Sequence, residues 1–290
     1  MATAVAPAPP ARRLRRRRGG PLAILSIPTV LLVVFFLAPM VIMTQMAFVR
    51  YPPNTASGYT AQHFFDVLTD PLNLKIAWTT FVIATLSQAV MLAVAIPLGY
   101  FMVFRAGKWE LPILLALVLA DELNPVVKIY AWEAILGRNG LLNWLIPGKP
   151  IEWFLFSRFA VVVVLSAGYI TYTTIPIYAA MKAINPAVFE AAVDLGAGWW
   201  TKARKILIPL AAPGIFIAMI LVYIPMFTDF VTPNIVGGTS VYMLGQRTTD
   251  LILEGADWGN GAALNFVLLL ASVIVSVVAY RLARLNRIDA

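Results

Sequence analysis

The chain of 290 residues has no cysteine and one histidine, His63. The first absence excludes disulfides, thiolate metal sites and cysteine nucleophiles. The second leaves no histidine-rich metal site and no Ser-His-Asp triad except one built on His63. Charge is scarce as well: Asp, Glu, Lys and Arg make up 12% of the residues, about half of what a soluble domain carries. No G-x-x-x-x-G-K-[ST] run occurs, so no P-loop is present to cradle nucleotide phosphates. No nucleophile–base or metal constellation appears, which argues against an enzyme.

Apolar sequence is what the chain has in quantity. It is 60% hydrophobic, with a mean hydropathy of +0.81. Apolar runs of roughly 20 residues or more recur, each long enough to cross a hydrocarbon core of about 30 Å. Backbone in lipid must satisfy its own hydrogen bonds, and the runs are continuous rather than alternating, so each is read as a helix. Six spans are predicted, at about 22–48, 76–104, 111–136, 159–183, 206–232 and 262–285. The expected fold is therefore an all-α membrane protein with six transmembrane helices. No strong internal repeat is visible.

The net charge of +8 bears on topology rather than on nucleic acid. Fifteen Lys and Arg fall in the N-terminal arm, the loop after the second span, the loop after the fourth and the C-terminus; six fall in the remaining loops, and Lys128 lies within a span. Positive charge stays inside, so both termini and the 184–209 loop are expected in the cytoplasm. Residues 1–20 are Ala/Pro-rich and then Arg-rich, with Arg12, Arg13 and Arg15–Arg18. They read as a disordered basic arm that anchors the first span at anionic lipid. Residues 21–290 read as the transmembrane domain. The run after the arginines is too long for a cleavable signal, and no clear A-x-A site ends it.

The loop between the fourth and fifth spans has its own structure in prospect. Asn185 can cap a helix that begins at Pro186. Residues 187–195 suit that helix, with Ala191 and Ala192 as a thin face. Gly196 and Gly198 permit a sharp turn. Residues 201–208 then start a second helix that runs into the fifth span, with Pro209 near its start. The expected product is a helix–turn–helix knob.

The third span carries charge where lipid disfavours it. Asp121 and Glu122 follow about ten mostly apolar residues, which places them roughly halfway across. Such carboxylates face a cavity or a partner. In a continuous helix Asp121, Asn124 and Lys128 share one face, and Pro125 kinks it. Two readings stand: Asp121 pairs with Lys128, with Asn124 as glue between helices, or Asp121 faces a pathway. Glu122 is harder to pair and is the stronger pathway candidate. Asp229, after Pro225, is either a pathway group or a loop-end carboxylate. Glu133 is expected at an interface with Tyr130 and Trp132. Acidic groups along a pathway favour a cationic solute, with cation–π help from Tyr169, Tyr172 or Tyr223.

Residues 190–209, EAAVDLGAGWWTKARKILIP, resemble the EAA loop of ABC-importer permeases. Glu190, Ala191, Ala192, Gly196, Ile206 and Pro209 match in place, and Ile208 stands where Leu is usual. The resemblance implies the type I importer permease fold and docking of this loop on an ATPase subunit. Glu190 would engage or orient the coupling helix and Gly196 would supply its turn. It also implies that ATP and Mg are bound by partner subunits, with no cofactor in this chain.

Three further segments narrow the resemblance: FFLAPM in the first span, KIYAWEAILGRNGLLNWLI, and GGTSVYMLGQRTTDLILEGADWGNGAAL. They look like the PotB/PotH-type permeases of spermidine and putrescine importers. The implied assembly pairs this chain with a second, similar permease. Two ATP-binding subunits and a periplasmic binding protein complete it, in a bacterial inner membrane. The departure is Asp121-Glu122-Leu123-Asn124-Pro125, where relatives generally carry small or hydroxylated residues. The wider group includes importers of opines, phosphonates and iron or thiamine compounds. An ATP-independent secondary transporter is the alternative class, which would leave the EAA spacing unexplained.

Overall fold

The computed structural model describes residues 26, 28–146 and 151–285. The basic arm expected at 1–20 lies outside the described residues. The chain forms two compact units, residues 1–45 and residues 46–290.

The first unit holds most of helix α1, Pro28–Phe48. Its large side chains are exposed, Phe35 by 75%, as expected of a surface made for lipid. Its hydrogen bonding widens to π-type over Val33–Leu37, where the Ala38 N–H donates to the Val33 carbonyl. Pro39 comes next, with no N–H to continue the regular ladder, and the wider turn accommodates that loss.

The second unit opens with a hairpin, β1 Val49–Tyr51 and β2 Asn54–Tyr59, antiparallel with Val49 opposite Tyr59. This hairpin is an addition to the all-helical expectation. His63 begins to explain itself here. It sits on α2, Gln62–Thr69, and its Nε2 lies 3.0 Å from the Val49 carbonyl, which accepts the hydrogen bond. The sole histidine thus ties helix to hairpin.

Asp70 then caps α3, Pro71–Phe104, by accepting from the Leu72 N–H at 2.9 Å, with Pro71 in the first turn. The 34 residues of α3 run about 50 Å at 1.5 Å per residue, well beyond a hydrocarbon core.

Between α3 and the next long helix the expected continuous span is divided. Two helices, α4 Glu110–Asp121 and α5 Pro125–Leu136, flank a break at 122–124. This corrects the expectation of a kinked but continuous helix. Asn124 leaves the helical region and its Oδ1 accepts from the Val126 N–H at 2.9 Å. The side chain expected to glue neighbouring helices is instead an N-cap, and Pro125 starts a new helix rather than bending an old one.

A short helix α6, Leu141–Leu145, precedes α7, Arg158–Lys182, which Ser157 caps through its hydroxyl to Ala160. Helix α8, Pro186–Asp194, precedes α9, Trp200–Thr228. The expected fifth span reached 232; α9 stops at Thr228 because Asp229 turns to extended backbone and caps the next turn. Two helices complete the chain, α10 Leu244–Leu253 and α11 Trp258–Leu285. Among the described residues, α1, α3, α7 and α9 are each long and apolar enough to cross a membrane, and α11 carries a shorter apolar stretch.

The core is a three-helix contact of α3, α7 and α9 in two layers. One layer joins Ile83, Ala84 and Met91 to Val161, Leu165, Val222 and Met226. The other joins Ala95 to Ile177, Met181, Leu207 and Ala218. Lipid supplies little hydrophobic drive between helices, so close approach and polar glue do more. At Gly214 on α9, an added Cβ would lie 2.4 Å from the Ala180 Cβ and 2.5 Å from the Pro176 carbonyl oxygen of α7; only glycine allows that approach. Thr85 and Tyr223 bond across α3 and α9 at 2.8 Å, so Tyr223 packs and bonds within the bundle. At the hairpin end, α10 is tied to α3 by the Leu244 N–H donating to Thr80 at 2.9 Å and by Arg247 Nε donating to Asn73 at 3.2 Å.

Candidate functional site

The break between α4 and α5 creates the principal site. Helix α4 ends at Asp121, whose carbonyl would normally accept from the residue four positions on. That residue is Pro125, which has no N–H. Lys128, one turn into α5, reaches back. Its Nζ lies 3.2 Å from Asp121 Oδ1 and 3.3 Å from the Asp121 carbonyl oxygen. The ammonium is both counter-ion and cap. The Lys128 and Asp121 side chains are 20% and 16% exposed respectively, so the pair is partly desolvated yet reachable.

A cavity of about 160 Å³ opens beside this pair. Asp121, Lys128 and Trp132 line it from α4 and α5, Tyr169 and Tyr172 from α7, and Asp229 from the end of α9. Asp229 is held in place by its own turn. Its Oδ1 accepts from the Thr232 N–H at 3.0 Å and its Oδ2 from the Thr232 hydroxyl at 2.8 Å. The Tyr169 and Tyr172 rings stand beside one another on this lining, centroids 6.3 Å apart. Two carboxylates, one ammonium and three aromatic rings therefore surround one space. Such a lining holds a cationic group through charge and ring faces.

The structure thus brings together Asp121, Asp229 and Tyr172, and pairs Asp121 with Lys128 on the same cavity wall. Asp121 is thus ion-paired and also lines the cavity. Glu122 falls in the break, is exposed, and does not line this cavity. Thr232 and Trp132 join the lining, although sequence reasoning placed neither on a pathway. The Asp229-x-x-Thr232 spacing is a capping signal that points to the threonine; Trp132 had no such signal.

The second candidate region is the 184–209 loop. The Asn185 Oδ1 accepts from the Ala187 N–H at 3.0 Å, which starts α8 at Pro186. At its end the Ala197 N–H donates to the Ala192 carbonyl at 2.9 Å, with Gly196 between them at φ +73°. This six-to-one closure around a left-handed residue is a Schellman turn, which glycine adopts without a Cβ penalty. After this turn α9 begins at Trp200. A π-type segment, Ala203–Leu207, ends two residues before Pro209. A proline likewise lies two residues beyond the π-type segment of α1, and the cause is the same.

The root of this knob is packed. Phe189 packs on Phe104 with ring centroids 4.7 Å apart, and Ala192 is 7% exposed. Ala191 is exposed. The expected thin face therefore resolves into one buried alanine and one outward one. Leu195 and Trp200 are 88% and 72% exposed at the tip. The backbone of Glu190 lies in α8; its side chain lies outside the described residues.

Three polar groups connect the two regions. Glu110, at the start of α4, bonds to both Lys182 and Tyr178 near the end of α7. Lys182 also donates to the Tyr178 hydroxyl at 3.0 Å. The Lys182 hydrogen bond, then that of Tyr178, holds the Glu110 carboxyl below its ordinary value. Helix α4 buries none of its own residues. It is pinned at one end beside the 184–209 loop, at the other by Lys128 in the cavity, and between them by Thr171 donating to the Leu117 carbonyl at 3.1 Å.

Comparison with known proteins gives a consistent result. Residues 21–287 match the family described as binding-protein-dependent transport system inner membrane component. The spermidine/putrescine transport system permease protein PotB of Haemophilus influenzae is 26% identical over 238 residues, covering 80% of this chain and 81% of that protein. PotB of Escherichia coli K12 is 27% identical over 223 residues, covering 75% and 81%. Among solved structures, a chain of a bacterial alginate ABC transporter superposes with a TM-score of 0.70 at 19% identity, over 92% of this chain and 95% of that one. A chain of the MetNI methionine ABC transporter gives 0.55 at 18%, over 73% and 95%.

Proposed function

The chain belongs to the family of binding-protein-dependent transport system inner membrane components, and from that premise we propose that it is the permease subunit of an ABC importer for a small cationic solute of the polyamine type. The observation that carries the cargo is the cavity, where Asp121 and Asp229 stand among Trp132, Tyr169 and Tyr172. The likeness to PotB supports the same reading.

In this reading the broken span and α11 complete six crossings, with both termini and the 184–209 loop in the cytoplasm. The knob closed by Gly196 docks on a separate ATP-binding subunit, with Glu190, Ala191, Ala192 and Pro209 in the coupling segment. ATP and Mg are bound there, not in this chain. A second, similar permease completes the pathway, two ATP-binding subunits power it and a periplasmic binding protein delivers the solute. Closure of the ATP-binding pair moves α8 as a rigid body and opens the cavity outward; hydrolysis returns it inward.

One observation favours a second cargo class. Lys128 lines the same cavity, so a solute bearing both an amine and a carboxylate, such as an opine, also finds a partner for each charge. ATP-dependent uptake of labelled putrescine, spermidine and an opine by the reconstituted transporter separates the two. Uptake of the amines, lost when the ATP-binding subunit is omitted, is expected. Uptake that persists without that subunit overturns the importer reading, and uptake of the opine alone overturns the polyamine reading.

A further inference from the structure

The position of the Lys128 ammonium is informative in its own right. An alkylammonium has three N–H donors, and Lys128 gives one to the Asp121 carboxylate and one to the Asp121 carbonyl. Those acceptors do not depend on Lys128 for their existence. The carboxylate is there because of Asp121, and the carbonyl is open because Pro125 cannot donate to it. Together with Tyr172, which lines the same cavity, they form a receptor for a primary ammonium at the end of a methylene chain. Lys128 is such a chain.

We propose that the Asp121 carboxylate and carbonyl form a primary-alkylammonium subsite, and that Lys128 is its displaceable resident, which gives way to the ammonium of an incoming solute. The proposal rests on the cavity being the cargo pathway. Lys128 hangs on a flexible four-carbon stem from α5, so it can leave by side-chain rotation alone. While it stays, it neutralises one of two carboxylates and satisfies a carbonyl that lipid would penalise. A neutral solute gains nothing by displacing it. A quaternary amine carries the charge but lacks the N–H donors the carbonyl requires. The subsite therefore selects for primary amines, and Lys128 sets the concentration needed to fill it.

The test uses the complete transporter in nanodiscs, with Lys128→Met, with Lys128→Gln as a second variant whose amide still donates to the carbonyl, and with each combined with Asp121→Asn. Thermal stability is followed against propylammonium chloride, with tetramethylammonium chloride as control. Both Lys128 variants should be stabilised at a propylammonium concentration at least tenfold below that needed by the wild type. Tetramethylammonium should not act, and Asp121→Asn should remove the gain. Equal responses of wild type and both variants overturn the subsite. So does full recovery of wild-type uptake in Lys128→Met/Asp121→Asn, which would reduce the pair to a structural bridge. Putrescine uptake is read in the same preparations. A propylammonium gain with no putrescine uptake keeps the subsite and removes the polyamine reading; putrescine uptake with no gain does the reverse.

Discussion

The cavity and the 184–209 knob are built in opposite ways. The knob is local: Asn185 caps it, Gly196 turns it and Pro209 sets its exit, all within twenty-five residues of chain. The cavity is non-local, drawing Asp121 and Lys128 from α4 and α5, Tyr169 and Tyr172 from α7 and Asp229 from the end of α9. Their surfaces are opposite as well. The knob shows Leu195 and Trp200 outward, whereas the cavity keeps charge inside. In a membrane protein the interior is where ions can be solvated by partners, and an exposed apolar tip is the kind of surface that marks an interaction site.

The close contact of α7 with α9 should be the most sensitive point. Gly214→Val places side-chain atoms where the Pro176 carbonyl and Ala180 already stand. Overpacking alone costs about 1–3 kcal/mol, and here backbone must move. Loss of the assembled transporter is expected, read by size-exclusion chromatography; normal assembly would show that α7 and α9 are not rigidly joined there.

Within the cavity, Asp121→Asn leaves the half-buried Lys128 without its counter-ion. Breaking one partner of a buried pair costs about 3–5 kcal/mol. This pair is only partly buried, so a smaller loss is expected, with polyamine uptake down at least tenfold and assembly retained. Asp229→Asn should act in the same direction but less, because the remaining amide oxygen still accepts one of the two Thr232 hydrogen bonds. Unchanged uptake in both variants would remove the acidic-pathway reading.

In the knob, Gly196→Val meets no neighbour, since open space surrounds its Cβ position. Its cost is conformational, about 1–2 kcal/mol for a side chain forced into the left-handed region. ATP-driven uptake should fall several-fold while solute binding to the cavity is unaffected. A parallel loss of both would place Gly196 in folding rather than coupling.

The smallest effect is expected at the connection. Glu110→Gln weakens the tie to Lys182 and Tyr178, and coupled uptake should fall about twofold, the scale of an exposed ion pair. Because the Lys182 and Tyr178 hydrogen bonds hold the Glu110 pKa below the ordinary carboxylate value, the tie is complete above that ordinary value and is lost only as pH falls through the folded-state pKa. Wild-type coupling through this group should therefore be flat between about pH 7 and 5.5. A wild-type deficit at the acid end of that range, equal to that of Glu110→Gln, would contradict the assignment.

Legibility in the sequence follows the same division. The cap, the glycine turn and the helix exit each depend on neighbours a few residues away, and periodicity or spacing reveals them. Asp121 and Asp229 were visible as charges in apolar surroundings, but nothing in their spacing says that they meet. Glu122 illustrates the limit: it is as unusual in the sequence as Asp121, and one residue of chain puts it in the break rather than on the cavity wall. The break was hidden because proline is compatible with both a kink and a new helix start. Asn124 decided between them by leaving the helical region and capping α5.

Composition and short-range hydrogen bonding were enough to specify a helical membrane protein whose sequence holds no P-loop pattern and no cysteine. They were also enough to specify a capped, glycine-turned loop between its fourth and fifth apolar runs. Two other facts came from the assembled fold alone: Lys128 occupies the carbonyl that Pro125 leaves open, and Asp229 faces the same space as Asp121. The first depends on how α4 and α5 meet at their break, and the second on how α9 is placed by close approaches such as Gly214 against Pro176.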